Sequence, residues 1–201
     1  MSTSSLEVLH GVGDNVVDKY VNQRKTYPGG NALNAAVFCR RLGLSTGYVG
    51  VIGTDRFGQH IKEVLAQEGV DISRLKVREG PNRYAEVELI EGDRKFVGRD
   101  FGAYFPFSLD EEDFSYLSKA KVIHTSIYSG VEEQLPRLAE TLSSISFDFS
   151  NRWEAAYLAH VLPFVTYAFL SASGRGETEL AEVKELAKDH LVEVLVITNG
   201  S

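Results

Sequence analysis

The chain has 201 residues, 43% of them hydrophobic and 24% charged, enough to bury a sizeable core in one domain. Against 28 Asp and Glu stand 21 Lys and Arg, and the net charge of −7 disfavours nonspecific binding to nucleic acid or anionic membrane, which needs clustered cations. A single cysteine, Cys39, excludes an internal disulfide, five scattered histidines form no metal-ligand spacing, and no apolar run is long enough to span a bilayer.

The opening MSTSSLEVLH lacks the basic and apolar blocks of a secretory leader, so the cytoplasm is the expected compartment. LEVLHGVGD reads as a first strand, and GDNVVD leaves it carrying Asp14 and Asp18. In an open parallel sheet ligands bind beyond the carboxyl ends of the strands, where a carboxylate can accept from adjacent hydroxyls of a polyol. A turn in which Asp and Asn satisfy their own backbone accounts for the same residues. Gly29 to Leu42 reads as a helix with Leu33, Ala36 and Val37 on one side and Ala35, Phe38 and Leu42 on another, which predicts burial nearly all round. Its mouth is polar. Gly29 and Gly30 permit close backbone approach, and Asn31 and Asn34 share one side of the first turn with amides suited to a neutral polyol. Simple loop geometry is the competing account. Arg40 and Arg41 complement the dipole at the far end.

TGYVGVIG reads as a strand and Asp55 to Glu68 as a helix, with Asp55 as N-cap, Phe57, Ile61, Val64 and Leu65 on one face, and Gly69 as the stop. Gly50, Gly53 and Gly58 do not have the spacing of the dinucleotide fingerprint. Tyr84 to Tyr104 alternates apolar and polar residues around Glu91-Gly92-Asp93, the pattern of an antiparallel hairpin with one wet face, projecting as a flap. Ser108 to Glu111 has capping-box spacing and predicts a short helix. KVIHTSIY, ISFDFS, TYAFLSAS and VEVLVITNG read as buried strands, separated by helical faces marked by Leu135, Leu138, Ala139 and Leu142 and by Leu180, Val183, Ala187 and Leu191. This alternation predicts one α/β domain over residues 1–201, a mostly parallel sheet with helices on both faces.

GGNALNAAVFCRRLGLSTGYVGVIGTDRFGQHIKEVLAQEGVDIS resembles the N-terminal signature of the ribokinase-like, or PfkB, sugar kinases, in which the double glycine, the Asn opening the helix, the VGVIGTDRFG turn and the closing GVDIS follow in this order. GDNVVD and FDFSNRW, Phe147 to Trp153, are most similar to the branch that phosphorylates fructoselysine. The resemblance implies a ribokinase-like fold with a small antiparallel β lid at about 84–104, ATP as phosphoryl donor, Mg2+, and transfer to a primary hydroxyl of a sugar or sugar-amine. Asp18, Gly30 and Asn34 would hold the sugar, with Asp14, Gly29 and Asn31 as further candidates. Glu86 and Arg99 either reach substrate or are solvated lid charges, and the lid would also form a homodimer contact, as in several family members.

On the nucleotide side the resemblance points to Thr198, Gly200 and Ser201. Asp148 and Arg152 match part of an Asp-x-Asn-x-Arg motif with Ser150 in the Asn place, although a structural ion pair would explain them as well. After TYAFLSAS, Ser171 and Gly174 stand near a family Asn and Glu that organise metal and phosphate, leaving Glu177 as the substitute candidate for metal. ITNGS ends the chain before the Gly-Ala-Gly-Asp segment in which the resemblance places the catalytic aspartate. The chain alone is therefore expected to bind substrate with little turnover, the alternative being a nonenzymatic sugar-binding or regulatory module.

Overall fold

A computed structural model of the chain describes residues 7–90, 93–100, 102, 107–141, 144–190 and 192–199. In order they form β1 (Glu7–Gly13), β2 (Val16–Tyr20), β3 (Lys25–Gly29), α1 (Asn31–Arg41), β4 (Ser45–Gly53), α2 (Arg56–Gln67), β5 (Leu75–Arg78), β6 (Tyr84–Ile90) and β7 (Asp93–Asp100). Then follow α3 (Glu111–Leu117), β8 (Val122–Ser126), α4 (Leu135–Thr141), β9 (Ile145–Asp148), α5 (Ala155–Val161), β10 (Tyr167–Ser171), α6 (Glu177–Lys188) and β11 (Val194–Thr198). Seven strands make one sheet in the order β11-β10-β9-β8-β1-β4-β5, with every neighbouring pair parallel.

Parallel strands are apolar throughout because helices cover both faces. Tyr48 and Val49, consecutive in β4 and so on opposite faces, are both fully buried and belong to different apolar clusters. Tyr48 packs with Leu33 and Ala36 of α1 and Ile61 and Leu65 of α2; Val49 belongs with Leu117, Leu135, Phe147, Leu158 and Val183. Each fully buried Leu or Ile contributes about 2–3 kcal/mol of transfer free energy. Local signals act as expected at α2, where the Asp55 carboxylate accepts from the Gly58 amide at 3.0 Å and Gly69, at φ +74°, turns the chain out of the helix.

Two expectations for helices need correction. The helix read from Gly29 begins at Asn31, and it is buried on one face alone: Phe38 is 56% and Leu42 81% exposed. Ala32, Leu33, Ala36 and Val37 fill the stripe that meets the sheet, and on the opposite side the Arg41 guanidinium lies 5.6 Å from the Phe38 ring. The capping box of α3 is formed by Asp110 and Asp113, each carboxylate accepting the other's amide at 2.9 and 3.0 Å, two residues beyond the Ser108–Glu111 spacing.

The α3 cap is also an ionic clamp. Arg74 reaches Asp110 at 2.9 Å and Asp113 at 2.8 Å, while Lys76 contacts the same two carboxylates, that of Asp113 being fully buried. The Lys76 ammonium foremost, with Arg74 and the Asp113 amide, holds the Asp110 carboxyl at about 2 against an ordinary 3.8. A depressed carboxyl stabilises the fold above its unfolded pKa, and that contribution disappears as pH falls through the folded value. Melting temperature should therefore drop as pH falls from about 3.8 toward about 2, and Asp110→Asn, which keeps a capping side chain, should lose that part of the drop. Identical pH profiles for the two proteins would disprove the clamp.

The lid is larger than the expected hairpin. β2 and β3, which carry no strand signal in the sequence, join β6 and β7 in a four-stranded sheet of order β3-β2-β6-β7. Its outer pairs are antiparallel, but β2 and β6 run parallel, so the sheet is mixed. VVDKY is too short and too polar to announce a strand; Val17, fully buried, is its one anchor in the core. Glu91, Gly92 and Tyr104 of the expected hairpin lie outside the described residues.

Candidate active site

Because all seven main strands run the same way, Gly13, Ser126, Asp148, Ser171 and Thr198 end β1, β8, β9, β10 and β11 along one edge. From β1 the chain passes to β4 on one side, whereas β8 flanks β1 on the other; this change of direction opens a crevice at the carboxyl ends of β1 and β8. α1 begins there, very close to the sheet. Gly30 has φ +111°, and a Cβ on it would lie 2.6 Å from the Asn15 Cα and 2.7 Å from the Asp14 carbonyl oxygen.

With glycine as N-cap, α1 has no capping side chain of its own. Asp14 supplies the acceptor from the end of β1: its carboxylate takes the amides of Asn31 at 2.5 Å and Ala32 at 3.2 Å, and the hydroxyls of Ser126 at 2.8 Å and Ser129 at 3.1 Å. Four donors occupy its acceptor capacity, so Asp14 holds the helix mouth in place.

Asn31 is similarly committed. Its amide nitrogen donates to Asp148 Oδ2, and its oxygen lies 2.5 Å from His124 Nε2. That oxygen can only accept, which assigns the proton to Nε2 and leaves His124 Nδ1 to meet the Ser146 hydroxyl at 2.8 Å. Burial pushes the His124 pKa below the ordinary imidazole range, against the opposing pull of the Asp148 and Asp14 charges. Sequence reading missed His124; a lone histidine within an apolar strand carries no signal of partners so far along the chain.

The remaining sugar-side candidates meet at the same mouth. Asp18, on β2, is aligned with Tyr27 and Ala85, and a Cβ on Gly29 would lie 3.0 Å from its Oδ2, so its carboxylate rests against bare backbone. Asn34 sits one turn into α1, half-buried, with a side-chain carboxamide that makes no hydrogen bond among the described residues. Glu86 is turned away: strand alternation puts it with Lys19, its partner at 2.7 Å, on the lid face opposite Asp18. Arg99, exposed, is aligned with Ala85 and so shares the Asp18 face two strands away.

On the other side of the crevice Ser171 and Thr198 are directly aligned, with Asp148 one strand over. Ser150 stands at φ +54°, a left-handed conformation that Asn tolerates better than Ser, held by its amide to Asp148 at 2.7 Å and by the Tyr128 hydroxyl at 2.9 Å. Arg152 forms no ion pair with Asp148; it is exposed, its guanidinium 5.2 Å from the Tyr157 ring. Glu177 is exposed at the start of α6, and among the described residues no three His, Cys, Asp or Glu side chains converge as a metal cage. Gly200 and Ser201 lie outside the described residues. No described helix is long and apolar enough to cross a membrane.

A parallel sheet covered on both faces, with a small β lid rooted at the carboxyl edge of its central strands, is the ribokinase-like architecture. The structure of fructokinase with bound ATP from Xylella fastidiosa matches it with a TM-score of 0.74 at 21% identity, covering 97% of this chain and 69% of that one. The chain belongs to the pfkB family of carbohydrate kinases: the profile described as pfkB family carbohydrate kinase matches residues 7–201. It is 41% identical over 196 residues to fructosamine kinase FrlD of Bacillus subtilis (strain 168), covering 96% of this chain and 69% of that protein. To fructoselysine 6-kinase of Escherichia coli (strain K12) it is 34% identical over 198 residues, covering 98% and 76%.

Proposed function

We propose that the complete protein transfers the γ-phosphoryl group of ATP to a primary hydroxyl of a sugar-amine of the fructosamine or fructoselysine type. One observation carries the reading: Asp18, the Gly29-Gly30 backbone and Asn34 gather at the mouth of α1, and Asn31 ties that mouth to Asp148 on the edge that holds Ser171 and Thr198. Asp18 accepts hydrogen bonds from adjacent sugar hydroxyls, Asn34 donates and accepts, and Gly30 lets the ring approach the backbone. Asp14 and Asn31 act one step back, fixing the helix that presents these groups. The acceptor hydroxyl then faces the ends of β9, β10 and β11, where the phosphates would lie.

Phosphoryl transfer needs positioning, charge stabilisation and a base to orient the attacking hydroxyl. The resemblance puts that base, an aspartate, beyond Ser201. Mg2+ neutralises phosphate charge in such reactions, and among the described residues no three His, Cys, Asp or Glu side chains converge on a site for it.

A panel of sugars and fructosamines assayed with Mg-ATP and the complete gene product tests the reading; phosphorylation confined to sugar-amines is expected. Absence of phosphorylation of any sugar would reject it, and sugar binding without turnover would favour a nonenzymatic binding module. The lid has a second proposed use, as a homodimer contact, because its sheet leaves Phe96 69% and Tyr27 46% exposed. Sedimentation should show a dimer that Phe96→Glu converts to monomer; a wild-type monomer at high concentration would exclude it.

A further inference from the structure

Among the described residues, five lysine or arginine residues are half-buried: Lys19, Arg74, Lys76, Arg83 and Arg175. Four of them have carboxylate partners within 2.9 Å: Lys19 with Glu86, Arg74 and Lys76 with Asp110, and Arg175 with Glu179. Arg83 has no carboxylate or hydrogen-bond partner for its guanidinium among the described residues. A half-buried cation that loses hydration without gaining a counter-charge raises the free energy of the empty fold, and such groups concentrate where a ligand supplies the missing charge.

Its place in the lid is informative. The Val17 amide donates to the Arg83 carbonyl at 3.1 Å, extending the β2–β6 ladder by one residue. Ala85 is aligned with Asp18, so Arg83, two residues earlier, shares the Asp18 face one step nearer the main sheet. There it lines a cavity of about 40 Å3 together with Asp14, Asn15, Phe107, Tyr128 and Ser129. The space is small and partly open, and a carboxylate is among the groups small enough to enter it.

The other polar groups around the cavity are already engaged. Asp14 is turned to the α1 amides and two serines. Asn15 donates to the Tyr48 hydroxyl at 3.0 Å and the Val51 carbonyl at 2.8 Å, and accepts from Asn82 at 3.1 Å. Among the described residues that line the cavity Arg83 is the one cation, and the half-buried Phe107 and Tyr128, which is 57% exposed, line it as well. A single guanidinium in a cavity also lined by two aromatic residues suits a monovalent planar anion on an apolar stem better than a phosphate, which calls for several donors.

We propose that Arg83, with Phe107 and Tyr128, forms a subsite for the carboxylate of an amino acid joined to the sugar. The proposal rests on the sugar-amine reading above. A lysine linked to a sugar through its ε-nitrogen keeps its α-carboxylate on a four-carbon apolar stem, which is the chemistry this subsite takes.

Titration calorimetry with ε-fructosyl-lysine and with its decarboxylated analogue, 1-deoxy-1-(5-aminopentylamino)fructose, tests this on the wild-type chain and on Arg83→Gln and Arg83→Lys. The wild type should bind the carboxylate-bearing compound about 10- to 100-fold more tightly than the analogue. Arg83→Gln should abolish the difference while leaving affinity for the analogue unchanged, and Arg83→Lys should keep part of it. Equal wild-type affinities, or a difference that Arg83→Gln leaves intact, would overturn the subsite while sparing the sugar-amine reading. Binding of neither compound would overturn that reading and the subsite with it. The wild-type comparison decides the matter even if melting curves show the variants to be unfolded.

Discussion

Asp18→Ala is expected to weaken sugar binding by about 10²- to 10⁴-fold, since two hydrogen bonds from hydroxyls to a carboxylate are worth about 1.5–3 kcal/mol each. The expectation rests on the sugar site proposed at the mouth of α1, where Asp18 lies against Gly29 on the inner face of the lid. Calorimetry with the preferred sugar-amine measures it, and nucleotide binding in the same protein should be unchanged, because Asp148, Ser171 and Thr198 stand on main-sheet strands. Asp18→Asn, which keeps shape and removes charge, should fall between the two. Unchanged sugar binding in both Asp18→Ala and Asn34→Ala would remove these residues from the site and with them the geometric basis of the kinase reading.

Gly30→Ala should destabilise the fold through both backbone strain and crowding. At φ +111° an alanine is strained by about 1–3 kcal/mol, and crowding of its Cβ against the backbone of Asn15 and Asp14 adds about 1–3 kcal/mol more. The helix cannot retreat without breaking the Asp14 cap and the Asn31 bond to Asp148. Gly43→Ala is the control: φ there is +92°, but no atom lies within 4 Å of the added carbon, so strain alone remains. Urea unfolding should show a lower midpoint for Gly30→Ala than for Gly43→Ala at a similar slope. Equal midpoints would show that close approach at the helix mouth is not what requires glycine.

Much of the architecture was legible along the chain. The apolar run of β4, the Asp55 cap and Gly69 stop of α2, and the alternation of β6 and β7 each depend on residues two to four apart, where backbone geometry imposes periods of 2 and 3.6. The same reasoning failed at β2 and β3. A lid strand with one buried anchor, Val17, and charged neighbours in Asp18 and Lys19 looks locally like a loop, and pairing with β3 and β6 makes it a strand. It failed again at Phe38 and Leu42, because apolar character shows that a side chain can be buried without showing that anything arrives to cover it.

The candidate site divides in the same way. From the double glycine, the two asparagines and the acidic residues after the first strand, the sequence determined that the mouth of α1 is polar and tightly approached, and the family resemblance pointed that mouth at a sugar. Tertiary structure decided the part each residue takes. Asp14 and Asn31 became supports for the helix, Glu86 turned to Lys19, and His124 and Arg83 entered from elements that had shown no chemistry. Asn31 lies 93 residues from His124 and 117 from Asp148, and these hydrogen bonds exist only once parallel crossovers have set strand against strand. Local periodicity is written into neighbouring residues by backbone geometry; the register between distant strands is set by the packing of the whole core, so it could be read only from the folded chain.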